Sequence, residues 1–281
     1  MPNKNASLGV NLWGLIPDAR EDLPGVLQQL RDMGFDSVES MIVPKKRDPY
    51  ALGAVSSEST FREFIRQVRG YGMDVHSVHV FYKVGPRFLP KSSVVRTIRH
   101  LCREYGVECF VFSGAFTDKK GARKWAAYLN DLAEALKGEP CKLLYHNHDQ
   151  EFGKIFVGKQ QMQLLEYFFR LVRSDILLQM DIGWAGNGGD EVTLVKHYAN
   201  KIYSLHLKDL AHGTRGQFHN PYVPQSVFVP IGEGEIRTAE ILNLRSSFPN
   251  FLGQIILDQD FSVGSLLQDL QTGYRNVSRM L

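Results

Sequence analysis

The amino-acid sequence predicts an α/β protein with a single (β/α)8 TIM barrel over residues 1–281. Short β-branched or apolar segments alternate with amphipathic helical segments along the whole chain, and each kind occurs eight times. Glycine follows the last helical turn before several strands, as at Gly34, Gly72 and Gly106, which indicates short helix-to-strand connections. Eight such units in 281 residues suit a closed barrel better than an open doubly wound sheet.

The strands are predicted from short apolar and β-branched runs, over residues 8–13, 35–39, 73–79, 107–113, 142–147, 176–181, 202–206 and 251–258. The helices are predicted from apolar residues that recur every three or four positions, over residues 22–33, 60–71, 92–105, 119–137, 159–173, 191–199, 236–246 and 264–280. Long connections follow the second, third and seventh strands. Because loops that follow strands share one face of a barrel, the chemistry is expected on that face.

The charge balance limits the kind of partner. The chain has 33 Lys and Arg against 30 Asp and Glu, which argues against binding to nucleic acid or an anionic membrane and favours a small molecule. The sequence contains no run of about 20 apolar residues and no secretory signal at its start, so the cytoplasm is the expected location. Cys102, Cys109 and Cys141 lack metal-type spacing and are expected to be reduced packing residues.

Ionisable residues end the inward-facing series of most predicted strands when each strand is read with a period of two. They are Glu39 on the second strand, His79 on the third, His146 and His148 on the fifth, Asp181 on the sixth, His206 and Lys208 on the seventh, and Asp258 on the eighth. Because the carboxyl ends of barrel strands converge on one rim, we expect these side chains to meet although they are far apart in sequence.

Such a cluster has two chemical uses. Two imidazoles and two carboxylates suit a divalent cation of borderline hardness, such as Mn²⁺ or Zn²⁺, and without a metal the same groups could act as acids and bases. Asp181 directly follows a buried strand, where a carboxylate is costly unless it is paired or bound to a cation. Glu39 and His79 are interpreted either as contacts to substrate hydroxyls or as plain rim residues.

Five short segments stand at or near the ends of the later predicted strands. They are Tyr145-His146-Asn147-His148-Asp149-Gln150-Glu151-Phe152, Met180-Asp181-Ile182-Gly183-Trp184-Ala185, His206-Leu207-Lys208-Asp209, Ile231-Gly232-Glu233-Gly234-Glu235 and Leu257-Asp258-Gln259-Asp260. In this order they resemble the signatures of the sugar phosphate isomerase/epimerase proteins with a xylose-isomerase-like TIM barrel. The resemblance covers essentially the whole chain.

The resemblance implies one divalent metal at the barrel mouth, most naturally Mn²⁺ or Zn²⁺, with Mg²⁺ or Co²⁺ as alternatives. By position, its ligands are His146, Asp181, His206 and Asp258. The family pattern is Glu, Asp, His and Glu, so His146 and Asp258 each stand where a glutamate is usual. The resemblance also suggests a homodimer.

The implied reaction is proton abstraction next to the carbonyl of a sugar, keto-sugar or related polyol, with the metal stabilising the enediolate. Asp258, Glu151 and His148 are the candidate bases, and Lys208 is a candidate electrostatic partner. Three aromatic residues are predicted either to stack on the sugar ring or to pack in the core, namely Trp13, Tyr82 and Trp184.

Three other functions stay open at this stage. A lyase or dehydratase acting on keto-sugars or keto-inositols would begin with the same proton abstraction. A catalytically silent sugar-binding barrel would agree with the two departures from the ligand pattern. A nuclease is less favoured, because it would need several metals and a basic groove for DNA.

Overall fold

The computed structural model describes residues 7–42, 58–81, 83–84, 87–88 and 90–281, and in it eight parallel strands close into a barrel. In chain order the strands are β1 (Ser7–Asn11), β2 (Ser37–Ile42), β3 (Asp74–Val80), β4 (Cys109–Ser113), β5 (Lys142–His146), β6 (Leu177–Asp181), β7 (Ile202–Leu207) and β8 (Gln254–Leu257). Each strand pairs with its neighbours in sequence, and β8 pairs with β1 to close the ring. The predicted (β/α)8 barrel is therefore confirmed.

Helices surround the barrel. They are α1 (Ile16–Met33), α2 (Glu58–Gly70), α3 (Lys91–Tyr105), α4 (Lys119–Ala135), α5 (Leu164–Phe169), α6 (Ile182–Gly188), α7 (Glu191–Tyr198), α8 (Thr238–Leu244) and α9 (Leu266–Met280). The backbone of α1 is interrupted at Asp22, whose carboxylate accepts a hydrogen bond from the Gly25 N–H, so regular helix resumes near the predicted start at residue 22. None of the helices in the described ranges is long and apolar enough to cross a membrane.

Two separate apolar clusters fill the fold. The larger cluster lies between the strands and the surrounding helices. The smaller lies within the barrel and consists of Cys109, Val111, Leu144, Leu177 and Tyr203. Because this inner cluster includes the first residues of β4 and β6, it fills the end of the barrel where the strands begin. His146 and Asp181, by contrast, are the last residues of β5 and β6 and stand at the other end.

A β-bulge in β7 changes the predicted inward series of that strand. Leu178 pairs with Ile202 and Gln179 pairs with Ser204, so Tyr203 is the extra residue. A period of two counted back from His206 predicts that Ile202 faces inward, but Ile202 belongs to the outer cluster and Tyr203 to the inner one. The bulge therefore corrects one predicted position, and His206 still pairs with the carboxyl end of β6.

The helix predicted over residues 159–173 is wrong in its first part. Residues Lys154–Val157 and Gln160–Gln163 form an antiparallel hairpin, and helix begins only at Leu164. Gly158 has a φ of 60°, which supplies the left-handed backbone that a two-residue hairpin turn needs. Short antiparallel pairs also occupy the loops after β3 and β7, which were predicted as loop alone.

Gly34 offers a test of the tight helix-to-strand turns. It ends α1 with a φ of 108°, and a Cβ there would lie 2.2 Å from the Tyr274 hydroxyl oxygen. We expect Gly34→Ala to lower the free energy of unfolding by more than the about 1–2 kcal/mol that a left-handed alanine costs alone, measured by urea denaturation. Gly72→Ala is the matched control, because its φ is 73° and the nearest atom is 3.8 Å away. Equal losses in the two variants would contradict the steric argument.

Candidate active site

The barrel opens into a cavity of about 420 Å³ at the end where the strands finish. Seven predicted site residues line it, namely Trp13, His79, His146, His148, Trp184, Lys208 and Asp258. Asn11, Ser113, Asp260 and Phe261 extend the wall, and Asn220, Pro221 and Val223 reach it from the loop after β7. Asp181 and His206 are fully buried, and the hydrogen bonds and ion pairs described below tie them to residues of the wall.

Three imidazoles converge at the centre of the barrel. The ring centroids of His79, His146 and His206 are 4.9–5.5 Å apart. Each ring offers a nitrogen within 4.8 Å of the others, and Asp181, His206 and Asp258 form a second group of the same kind. The structure therefore brings together the residues that were predicted from separate strands, with His206 common to both groups.

Asp181 has one satisfied and one unsatisfied carboxylate oxygen. Oδ1 accepts a hydrogen bond of 2.8 Å from the Trp184 N–H and so caps α6, which begins at the next residue. Oδ2 is buried, and no described residue hydrogen-bonds to it. It lies 3.8 Å from His146 Nε2 and 3.7 Å from Lys208 Nζ. Burial raises the pKa of Asp181 to about 6.

Glycine at residue 183 allows α6 to start so close to the end of β7. A Cβ at this position would lie 2.7 Å from Lys208 Cβ and 2.9 Å from the Lys208 backbone oxygen. The sequence Asp181-Ile182-Gly183 therefore combines a helix cap with a close backbone contact, and this fixes the carboxylate over the barrel mouth.

Lys208 lies among three carboxylates. Its Nζ is 2.5 Å from Asp260 Oδ2, 3.0 Å from Asp258 Oδ2 and 3.7 Å from Asp181 Oδ2. Burial opposes its charge, but these carboxylates outweigh burial and raise the pKa of Lys208 above its ordinary value. In turn, Lys208 and His206 overcome the burial of Asp258 and hold the pKa of that carboxyl below its usual range. Lys208 and Asp258 are therefore ionised.

His206 is hydrogen-bonded at both ring nitrogens. Its Nδ1 is 3.2 Å from Asp258 Oδ2, and its Nε2 is 2.7 Å from Glu39 Oε1. Burial favours the neutral ring, but the Glu39 and Asp258 carboxylates outweigh it and raise the pKa of His206 to about 10. His146 differs, because burial and the neighbouring His206 and His79 rings lower its pKa well below the ordinary value.

Glu39, predicted as a substrate contact or a rim residue, does not line the cavity. It lies below the cavity with 1% of its surface exposed, and both its oxygens accept hydrogen bonds from side chains on other strands. Burial opposes its charge, but His79 and His206 outweigh burial and hold the pKa of Glu39 well below its usual range.

The predicted bases His148 and Glu151 have different positions. His148 lines the cavity between the His146 and Trp184 rings, and burial and Lys208 lower its pKa to about 3, so the ring is neutral. Glu151 is fully buried and absent from the cavity wall. It accepts hydrogen bonds from the Tyr145 hydroxyl at 2.5 Å and the His148 N–H at 2.9 Å. Glu151 therefore holds the segment that carries His148.

The aromatic residues at the mouth differ in exposure. Trp13 is 42% exposed and packs against Phe81, with ring centroids 5.6 Å apart. Trp184 is 4% exposed, and its ring centroid lies 5.3 Å from Lys208 Nζ, so most of the ring is in the core. Tyr82 lies outside the described residues.

Sequence reasoning missed two polar residues of the site. Gln179 donates to Glu39 Oε2 at 2.8 Å and bridges to His79 and His146 through its amide oxygen. Asp260 forms the shortest contact to Lys208. Each stands two residues from a predicted ligand, Gln179 from Asp181 and Asp260 from Asp258, so the period-two pattern contained a signal for them.

Comparison with known proteins identifies the family of the fold. The family model of xylose isomerase-like TIM barrels matches residues 27–245. No protein of curated function matches the sequence.

Many solved structures share the barrel. A sugar phosphate isomerase/epimerase from Parabacteroides distasonis has a TM-score of 0.76 and 16% identity, covering 98% of this chain and 94% of its own. A xylose isomerase-like TIM barrel protein from Mycobacterium smegmatis, in complex with magnesium, has a TM-score of 0.68 and 13% identity over 98% and 96% of the chains. A probable 3-DHS dehydratase from Bacillus anthracis has a TM-score of 0.67 and 10% identity over 97% and 98%. At these identities, the likeness establishes the fold alone.

Removal of the Lys208 charge tests the electrostatic balance of the site. We expect Lys208→Met to lower the free energy of unfolding by about 3–5 kcal/mol, because it leaves buried carboxylates without their cation. Lys196→Met is the control, since Lys196 is exposed and 3.8 Å from Glu240, and it should cost no more than about 0.5 kcal/mol. Urea denaturation measures both values, and a Lys208→Met variant as stable as the control would contradict the balance.

The buried carboxyl of Glu151 predicts a pH dependence of stability. Burial raises its pKa to about 7 from 4.5, so between these values the folded state holds a proton that the unfolded state has lost. This contribution makes the free energy of unfolding fall as pH rises through that window. Glu151→Gln removes it, so the stability of the variant relative to wild type should rise from about pH 5 to about pH 8.

Glu63→Gln is the control for this pH profile. The hydrogen bond from Arg66 lowers the pKa of Glu63 to about 2, so its contribution changes only below about pH 5. The stability of Glu63→Gln relative to wild type should therefore be flat over the same range. Parallel curves for Glu151→Gln and wild type would show that Glu151 does not keep its proton on folding.

Proposed function

The chain belongs to the xylose isomerase-like TIM barrel family, and from this premise we propose that it is a metal-dependent sugar isomerase or epimerase. In this proposal it removes a proton next to the carbonyl of a sugar, keto-sugar or related polyol. The observation that carries the proposal is Asp181 Oδ2, a buried carboxylate oxygen without a hydrogen-bond partner in the described part of the chain. It faces His146 Nε2 at 3.8 Å, at the end of the barrel where the cavity opens.

The residues around this oxygen fit a divalent cation. Asp181, His206 and Asp258 offer atoms within 4.8 Å of one another, and His146 adds a neutral imidazole beside them. Two imidazoles and two carboxylates favour Mn²⁺ or Zn²⁺, while the magnesium complex of the Mycobacterium smegmatis protein supports Mg²⁺ as an alternative. When bound, the metal would polarise the substrate carbonyl as a Lewis acid.

Three residues of the cavity wall have separate roles in the proposed reaction. Asp258 is ionised and lines the cavity, so it can accept the proton on one side of the substrate. His148 lines the cavity as a neutral imidazole and can accept or return a proton from its own side. Lys208 keeps its charge at the cavity wall and can stabilise negative charge on an enediolate oxygen.

Dehydration is the second candidate reaction. A lyase would start with the same proton abstraction and would then expel a hydroxyl group from the neighbouring carbon as water. The Lys208 ammonium, which can donate a hydrogen bond to a leaving oxygen, favours this alternative, and the similarity to the probable 3-DHS dehydratase supports it. A silent sugar-binding barrel is the alternative without chemistry.

Solvent deuterium exchange tests the proposal directly. We expect the metal-loaded protein to incorporate deuterium into at least one member of a panel of ketoses and 3-keto sugars. His206→Ala and Asp181→Asn should lose exchange and bind the metal more than 100-fold more weakly, since loss of a ligand exceeds the about 10–100-fold cost of changing an outer-shell residue. His197→Ala, an exposed histidine of α7, should match wild type.

The products and the metal content separate the alternatives. A product of unchanged mass supports an isomerase or epimerase, whereas a product lighter by one water supports a dehydratase. Bound metal without exchange across the panel would favour the silent barrel. Failure to bind any divalent metal would contradict the proposed function.

A further inference from the structure

We propose that Glu39 is a positioning residue that selects which ring nitrogen of both His206 and His146 faces the cation site, directly for His206 and through Gln179 for His146. The inference rests on the proposed function, because it assigns these two imidazoles to a metal. It gives Glu39 a role below the site rather than in contact with the substrate.

The first step is the contact between Glu39 and His206. Glu39 is 1% exposed, and the side-chain amide nitrogens of Asn11 and Gln179, which can only donate, face its Oε1 and Oε2, so both oxygens are acceptors. His206 Nε2 lies 2.7 Å from Glu39 Oε1 and must therefore carry a hydrogen in either charge state of the ring. The nitrogen left for a cation is Nδ1, which faces Asp258 Oδ2 at 3.2 Å.

The second step passes through Gln179. Its amide nitrogen donates to Glu39 Oε2 at 2.8 Å, so the orientation of the amide is set by the carboxylate. The amide oxygen consequently faces His146 Nδ1 at 3.0 Å and requires a hydrogen on that nitrogen. The lone pair of His146 is then on Nε2, which lies 3.8 Å from Asp181 Oδ2.

The remaining contacts hold Glu39 in place. Asn11 Nδ2 donates to Oε1 at 2.9 Å, the Ser77 hydroxyl donates to Oε2 at 2.5 Å, and His79 Nε2 lies 2.9 Å from Oε1. Asn11 and Ser77 are the strand partners of Glu39 on β1 and β3. The two adjacent strands thus fix the Glu39 carboxylate from both sides. Its hydrogen bonds in turn orient the imidazoles of His146 on β5 and His206 on β7.

Loss of the Glu39 charge should leave it less strictly defined which ring nitrogen of His206 and of His146 carries a hydrogen. A neutral amide at residue 39 can donate as well as accept, so the Gln179 amide could turn over and present its nitrogen to His146 Nδ1. His146 would then hold its lone pair on the wrong nitrogen. Partners that orient a ligand histidine typically contribute about 10–100-fold to metal affinity.

The experiment compares Glu39→Gln with two further variants in the full chain. Mn²⁺ affinity is measured by electron paramagnetic resonance titration, and ¹⁵N chemical shifts of the histidine side chains are measured with and without Zn²⁺. We expect Mn²⁺ to bind about 10–100-fold more weakly to Glu39→Gln. Gln179→Met should disturb the ¹⁵N pattern of His146 but not that of His206. Glu63→Gln is the same substitution at an exposed carboxylate of α2, which pairs with Arg66, and it should leave both patterns and the affinity at wild type.

The wild-type spectra decide the inference even if a variant fails to fold. His206 must carry hydrogen on Nε2, and His146 must carry it on Nδ1, in the metal-free protein. The opposite assignments would overturn the inference, as would unchanged affinity and unchanged ¹⁵N patterns in folded Glu39→Gln. Wild type could bind neither Mn²⁺ nor Zn²⁺ and still carry hydrogens on the expected ring nitrogens. In that case the proposed function fails, but the selection of these nitrogens by Glu39 is supported.

Discussion

The burial of acidic side chains inside the barrel is the constraint on which the rest of the site depends. Glu39, Asp181 and Asp258 are each at most 5% exposed, and an unpaired carboxylate in such surroundings would cost several kcal/mol. Lys208 and His206 supply the nearest positive charges, and strand side chains supply hydrogen bonds. Among the buried carboxylate oxygens of the described residues, only Asp181 Oδ2 lacks a hydrogen bond, and Lys208 Nζ is 3.7 Å from it.

The two ends of the barrel differ in the side chains that fill them. The end where the strands begin is filled by the inner apolar cluster, which needs no charge balance. The end where they finish holds the imidazoles, the carboxylates and the cavity. Because the charged residues of the site are buried, the ionic contacts among them act in a medium of low polarity, where they are stronger and where any imbalance is more costly.

Much of the fold and part of the site could be predicted from the sequence, for a physical reason. A period of two along each strand identified His146, Asp181, His206 and Asp258 because strand ends in a barrel share one rim. The role of Glu39 could not be predicted in this way, since its partners come from four other strands and depend on their register. The bulge in β7 and the hairpin at Lys154–Gln163 depend on local backbone geometry that the apolar pattern does not record.

The two carboxylate oxygens of Asp181 have different roles, and this limits the substitutions that the protein can accept at this position. Oδ1 caps a helix and Oδ2 faces the candidate cation site, so one mutation would alter the start of that helix and the proposed chemistry together. Evolutionary drift toward another activity would therefore be expected to keep this aspartate and to vary the loops and rim residues around it. The same dual use would make Asp181 a poor first choice for laboratory redesign.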